Sequence, residues 1–342
     1  MQHMARPWRG SAPALAAILL LVGCTAGTSA LAQASATSSA TSFAPIAPEQ
    51  PVPSRPAPEG PTGAPMAGTT SSGVAAGGLL LPRGGTTIFP AHRLVGFAGY
   101  PGAPALGRLG IGALEDRVRE IEGLGQQYAA GRAPMPVLEL IATVVHGSPG
   151  ADGMYRTRIA DAVVQRHLDV ARAHRAILLL NIQPGRAAFL DEVKAWERWL
   201  REPDVGLALD PEWAVQAGQV PGRVFGSTTG AELDAVAAYV SGIVTAGGLP
   251  EKVVLYHQLH ASIVRDPAAL RPHPGIALVV SVDGIGTPAQ KASTWRGIVA
   301  QTPDHVHKGL KLFYEEDARP GPLMTPAQVL ALTPQPEYVL YE

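Results

Sequence analysis

Three short runs decide how this chain is read: Val137-Leu138-Glu139-Leu140-Ile141-Ala142-Thr143-Val144-Val145, Ala176-Ile177-Leu178-Leu179-Leu180-Asn181-Ile182 and Val205-Gly206-Leu207-Ala208-Leu209-Asp210. Each is almost continuously apolar, six to nine residues long and rich in branched side chains, which is the pattern of strands buried on both faces of a parallel sheet. Five further runs have the same character to differing degrees: Arg93 to Phe97, Arg223 to Gly226, Lys252 to His257, Ile276 to Val282 and Lys308 to Tyr314. Eight strands are therefore expected, with Arg223 to Gly226, at four residues, the shortest.

Helical stretches lie between them. Leu114, Val118, Ile121 and Leu124 recur at helical spacing within Leu114 to Ala130. Ala187 to Leu200 follows the turn Pro184-Gly185, Ala231 to Ala246 ends in Gly247-Gly248, and Thr287-Pro288 opens another helix with proline in its first turn. Residues 92–342 hold no long linker, and their length matches the typical (β/α)8 barrel, so the expected fold class is α/β, a TIM-like barrel. A doubly wound nucleotide-binding sheet is the competitor. It lacks its fingerprint, because Gly96-Phe97-Ala98-Gly99 has neither the third glycine nor the helix start that would seat a pyrophosphate. No cofactor is expected.

Upstream of the barrel the composition changes. The 342 residues include 38 glycines and 32 prolines, too many for one compact domain unless they are unevenly spread. Arg6 and Arg9, the apolar run Ala14 to Val22 and then Gly23-Cys24 have the order of a secretory signal, and the run is too short to span a bilayer. Cys24, the sole cysteine, follows Leu21-Val22-Gly23 in a tetrad that resembles the lipobox of bacterial lipoproteins. The resemblance implies a signal peptide over 1–23, a diacylglycerol on Cys24 and an extracytoplasmic, membrane-anchored chain. An ordinary signal cut after Ala30-Leu31-Ala32 is the other possibility. From Thr25 to Pro82 the only charged residues are Glu49, Arg55 and Glu59, so the stretch is expected to be a disordered tether, and the domains are divided as 24–91 and 92–342. With 27 basic against 28 acidic residues the chain is not built to bind nucleic acid, and no polybasic segment supplements the lipid.

In barrels of this kind chemistry gathers at the C-terminal ends of the strands. Those ends give Tyr100, Gln183, Asp210, Glu212, His257, Asp283 and Tyr314, with Trp213 beside the acidic pair. Leu209-Asp210-Pro211-Glu212-Trp213 is the most informative segment. In extended chain Asp210 and Glu212 share a face about 7 Å apart, where mutual repulsion would leave one protonated beside an anion, and Trp213 could stack on a sugar. The alternative is that Asp210 caps the following turn and Glu212 is solvated.

The segment is similar to the end of the fourth-strand motif of family-18 chitinases and related acetamido-sugar hydrolases, D-x-x-D-x-D-x-E. Asp210 and Glu212 match its last two acids, while Ala208 and Val205 occupy the earlier acidic positions and Pro211 departs from the pattern. The resemblance implies Glu212 as the acid that protonates the leaving oxygen, Asp210 as the carboxylate that orients the acetamido nucleophile, and a glycan as ligand. From about His92 onward the chain also resembles uncharacterised secreted actinobacterial lipoproteins, through Gly96-Phe97-Ala98-Gly99-Tyr100-Pro101-Gly102, Gln183-Pro184-Gly185-Arg186, Leu209 to Trp213 and Lys311-Leu312-Phe313-Tyr314. That likeness implies location and fold and no reaction, so a non-catalytic carbohydrate-binding or envelope scaffold stays open beside the hydrolase.

His257 and His260, with His305 and His307, lack the helical i, i+4 spacing and partner glutamate of zinc hydrolases, so no metal is expected. Ser148, Ser227 and Ser262 sit in no G-x-S-x-G elbow. Glu139 and Lys311 fall inside apolar strands, where a charge persists only when paired. They are expected to point inward as a structural ion pair, direct or through one bridging group, within a layer built by the even-numbered strands.

Overall fold

A computed structural model describes residues 79–342. The expected signal at 1–23, Cys24 and the expected tether as far as residue 78 lie outside the described residues. Eight parallel strands close into a barrel: β1 (His92–Gly99), β2 (Ala133–Val145), β3 (Ile177–Ile182), β4 (Val205–Leu209), β5 (Lys252–Gln258), β6 (Ile276–Val282), β7 (His307–Leu312) and β8 (Tyr338–Tyr341). Neighbours pair in chain order, and β1 pairs with both β2 and β8, which closes the ring. Helices α1 (Leu114–Gln127), α2 (Asp161–Ala173), α3 (Phe189–Ala195), α4 (Glu197–Leu200), α5 (Gly230–Gly247), α6 (Pro288–Val299) and α7 (Pro326–Leu330) occupy the connections, except that β5 and β6 are joined by two 3-10 turns flanking a two-residue strand, Val264–Arg265, that pairs with Thr228–Thr229. No helix of the described residues is long and apolar enough to cross a membrane.

Two strand assignments change. Arg223 to Gly226 is a loop, and the eighth strand is Tyr338–Tyr341 instead. A barrel strand is covered on both faces, whereas Val224 and Phe225 are exposed. Tyr338-Val339-Leu340-Tyr341 is as short as the Arg223 to Gly226 run and follows Pro334 and Pro336, so the sequence pattern does not single it out as the strand. The strands bearing His257, Asp283 and Lys311 are therefore the fifth, sixth and seventh, and the even-strand layer expected for Glu139, Asp210, His257 and Lys311 does not exist in that form.

The ordered domain also starts before His92. Leu81 and Ile88 are buried among barrel-interior side chains, Phe89 stacks on His307 at 4.1 Å, and the Ile88 amide donates to Glu251 at 2.6 Å. Residues 81–91 thus close the N-terminal end of the barrel.

Period-two alternation explains the rest. Leu138, Leu140, Leu178, Leu180, Leu207, Leu209, Val254 and Tyr256 face the helices, and Val137, Leu179, Ala208, Leu255, Val279 and Leu340 face the barrel axis. Gly309 in β7 leaves room for Tyr338, whose Cβ would lie 3.0 Å from any Cβ placed there. Continuing each inward series by two residues toward the C-terminal end gives Glu139, Asn181, Asp210, His257, Ser281 and Glu342. The interior is apolar below and polar at the mouth.

Candidate active site at the barrel mouth

His257 stands at the centre. Its Nδ1 lies 2.6 Å from Asp283 Oδ2 and its Nε2 lies 2.8 Å from Glu139 Oε1. Glu139 also accepts from Asn181 Nδ2 at 3.0 Å and from the Tyr338 hydroxyl at 2.9 Å. Asp283 accepts from Ser281 Oγ at 2.7 Å and has Lys311 Nζ 3.6 Å away, and Lys311 also binds Glu342 at 2.6 Å. The result is an alternating series, Glu139, His257, Asp283, Lys311, Glu342, with all but the last buried.

Its electrostatics follow from that alternation. Burial opposes the charge on His257, yet the Asp283, Glu139 and Asp210 carboxylates outweigh it and hold the imidazole proton well above the usual histidine range. Burial likewise works against ionised Glu139 and Asp283, and the His257 imidazolium with Lys311 overcomes it, so both titrate below ordinary carboxylates. Lys311 is raised because Glu342 and Asp283 outweigh its burial.

The acidic pair behaves differently. β4 ends at Leu209, and Pro211–Trp213 form a 3-10 turn that begins at Asp210. The two carboxylates are therefore brought together by a turn rather than by strand alternation, and the Asp210 side chain does not cap that turn. Asp210 Oδ2 takes one long hydrogen bond from Gln183 at 3.4 Å, while Gln183 itself accepts from the Val145 amide at 3.1 Å. Asp210 Oδ1 and Glu212 Oε2 are buried with no hydrogen-bond partner. Burial first, then the neighbouring Asp210 and Asp283 charges, push Glu212 well above the usual carboxylate range. Asp210 is raised by burial too, with Asp283 and Glu139 adding to it, and His257 and Lys311 oppose the shift at both carboxyls. Both carboxyls of the pair are raised, Glu212 the further, and a carboxylic acid that stays neutral beside anionic carboxylates can donate its proton.

Other expected residues fall variously. Trp213 is half-buried on the turn next to Glu212. Tyr100 sits on the turn after β1, its backbone bridged to Ala103, and does not hydrogen-bond to the cluster. Tyr314, expected to bind substrate, packs outside the barrel wall. Its ring stacks on Tyr341 at 5.0 Å and meets Phe97 edge-on at 6.2 Å, both outward-facing residues. Glu139 and Lys311 do point inward, but they form no ion pair with each other. Two groups, His257 and Asp283, stand between them, so the single-bridge expectation is corrected.

Asn181, Ser281, Tyr338 and Glu342 were not anticipated. The alternation of β3 and β6 carries a signal for Asn181 and Ser281, whereas Tyr338 and Glu342 depend on recognising the short eighth strand. Asp210, His257 and Asp283 offer ligand atoms within 4.8 Å of one another. A cation there would have to displace the proton between His257 and Asp283 and compete with Lys311. The donors as arranged suit an ion-pair network better than a coordination sphere.

No protein-family model and no curated protein matches the chain. Among solved structures it is similar to a hyperthermophilic endo-beta-1,4-glucanase in complex with substrate, with a TM-score of 0.39 and 10% sequence identity over 72% of this chain and 87% of that one.

Proposed function

We propose that the chain is a lipid-anchored extracytoplasmic hydrolase acting on a glycan, with Glu212 as general acid. The observation that carries this reading is the Glu212 carboxyl: buried at one oxygen, unpartnered and holding its proton beside Asp210 at the C-terminal mouth of a barrel. Such an acid protonates the leaving glycosidic oxygen as the anomeric C–O bond breaks. Asp210 supplies the adjacent carboxylate, which orients an acetamido oxygen for attack on the anomeric carbon. Water, deprotonated by the Glu212 carboxylate, then completes hydrolysis. Gln183 and the imidazolium of His257 hold Asp210 and its surroundings, and Trp213 offers a flat apolar face beside the acid. Attachment through diacylglycerol on Cys24, with a tether leading to the barrel, would place this mouth outside the cytoplasmic membrane.

A non-catalytic carbohydrate-binding domain is the second reading. It is favoured by Ala208 and Val205, which stand where the resembled motif has two further acids. The two separate in one assay: the purified chain is incubated with chito-oligosaccharides and peptidoglycan fragments, and new reducing ends are counted. Their appearance supports the hydrolase; bound sugar without new ends supports the binding domain.

A further inference from the structure

Backbone pairing between β6 and β7 runs from Val279 opposite His307 to Val282 opposite Leu310. Asp283 and Lys311 each come one position after that last pair, with Lys311 Nζ 3.6 Å from Asp283 Oδ2. Just beyond them a second ion pair spans the same two strand ends. Lys291 Nζ lies 2.9 Å from Asp317 Oδ2 and donates at 2.7 Å to the carbonyl of Gly284, the residue after Asp283. Asp317 accepts the Gly286 amide at 2.8 Å through Oδ1 and the Phe313 amide at 2.9 Å through Oδ2, and Phe313 stands two residues after Lys311. The pair thus grips the backbone of both strand ends, at Gly284 and Gly286 after β6 and at Phe313 after β7. The Phe313 ring is also within cation–π reach of both ammonium groups, 5.3 Å from Lys291 Nζ and 5.0 Å from Lys311 Nζ.

Neither helix stability nor burial favours a lysine at 291. It is the fourth residue of α6, in the first turn, where the helix dipole opposes a cation. Lys291 and Asp317 are both buried, and burial holds the ammonium below the usual lysine range although Asp317 and Asp283 pull the other way. Side chains in a helix lean toward its start, which directs this ammonium back over the loop to Gly284. An apolar pair of similar volume would fill the same space without desolvating two charges. What the charged pair adds is a fixed separation between the strand ends where the ladder has stopped.

Resting on the hydrolase reading, we infer that Lys291 and Asp317 are positioning residues: they hold Asp283 against His257 and Lys311, and so fix the charges that surround Asp210 and Glu212. The path is short, since Asp283 is bonded to His257 at 2.6 Å and its carboxylate acts on both members of the acid pair.

Protein with isotope-labelled histidine is observed by NMR as wild type, Lys291→Met, Asp317→Asn, the double variant and Ile88→Ala, with thermal unfolding recorded for each. The short charge-assisted bond to Asp283 deshields the His257 Nδ1 proton, and loss of the signal in His257→Gln identifies it. Each variant of the pair should move that proton upfield and speed its exchange with water about tenfold or more. Ile88→Ala, a cavity at the far end of the barrel, should leave it in place, which separates positioning from loss of stability. The double variant has no unpaired charge and stands in for a single variant that does not fold. On chitohexaose the pair variants should lower kcat about tenfold with KM within about twofold of wild type, the mark of an effect on the reacting groups rather than on binding. A His257 proton unchanged in the pair variants, or moved equally by Ile88→Ala, overturns the positioning. So does wild-type turnover in a variant whose resonance has moved. If the wild type cleaves no amino-sugar oligomer, the hydrolase reading falls and the resonance alone decides whether the pair positions Asp283.

Discussion

His257 and Asp283 are joined across β5 and β6 by a 2.6 Å hydrogen bond with neither side chain open to solvent, and the second ring nitrogen of His257 faces Glu139. An imidazolium between two buried carboxylates has one consequence for stability. Removing it strands both anions, and a stranded buried charge costs about 3 to 5 kcal/mol. His257→Gln should lower unfolding free energy in urea by that order, and the double variant Glu139→Gln with His257→Gln should lose less than His257→Gln alone. A His257→Gln protein as stable as wild type would contradict the ion-pair assignment.

The same residue sets a pH dependence. Its native pKa is raised above the unfolded value, so its stabilisation is complete below about pH 6.5 and is lost as pH rises through the native pKa. Glu139 and Asp283 are depressed, so their contribution is present above about pH 4 and is lost as pH falls. Glu212 acts in the opposite sense to those carboxylates: its raised pKa makes the native state progressively less favourable above about pH 4.3. Unfolding free energy measured from pH 5 to 9 should therefore decline on the alkaline side. His257→Gln should flatten that decline, by up to about 1.4 kcal/mol per pH unit.

At the other end of the barrel, Ile88 is fully buried among interior side chains. Ile88→Ala should destabilise by about 2 to 5 kcal/mol. Limited proteolysis should leave a core that begins before Leu81 rather than at His92, as N-terminal sequencing of the protected fragment would reveal. A stable fragment starting at His92 would show that the closing segment is dispensable.

The barrel could be read from sequence because β2, β3 and β4 are long apolar runs separated by helical periodicity, and that pattern alone requires burial on both faces. The eighth strand could not, since four residues after two prolines stand out no more than the four of Arg223 to Gly226. Counting Arg223 to Gly226 as the fifth strand keeps the count at eight while shifting the last three expected strands by one. The inward-facing residues survived that error because alternation is a property of each strand by itself: Glu139, His257 and Lys311 point inward whatever number their strand bears. Their partners depend on strand neighbours, which is why Glu139 and Lys311 are expected to meet directly or through one bridging group where two, His257 and Asp283, intervene. For Asp210 and Glu212 the residues were legible and their geometry was not, since proline turned the chain out of the strand between them.

The proposed anchor makes its own prediction. If diacylglycerol sits on Cys24, Cys24→Ala should abolish labelling by a metabolically supplied fatty acid and release the protein from the membrane fraction or leave it unprocessed. Equal labelling of the two proteins would reject the assignment.

The central claim is the proton on Glu212. Glu212→Gln keeps the shape of the side chain and removes the dissociable proton, so the measurement that bears on it most directly is turnover and affinity of this variant on an amino-sugar oligomer that the wild type cleaves. The account predicts a fall in kcat of at least about a hundredfold, the lower range for loss of a general acid, with sugar affinity retained. Wild-type turnover by the Glu212→Gln protein would contradict it.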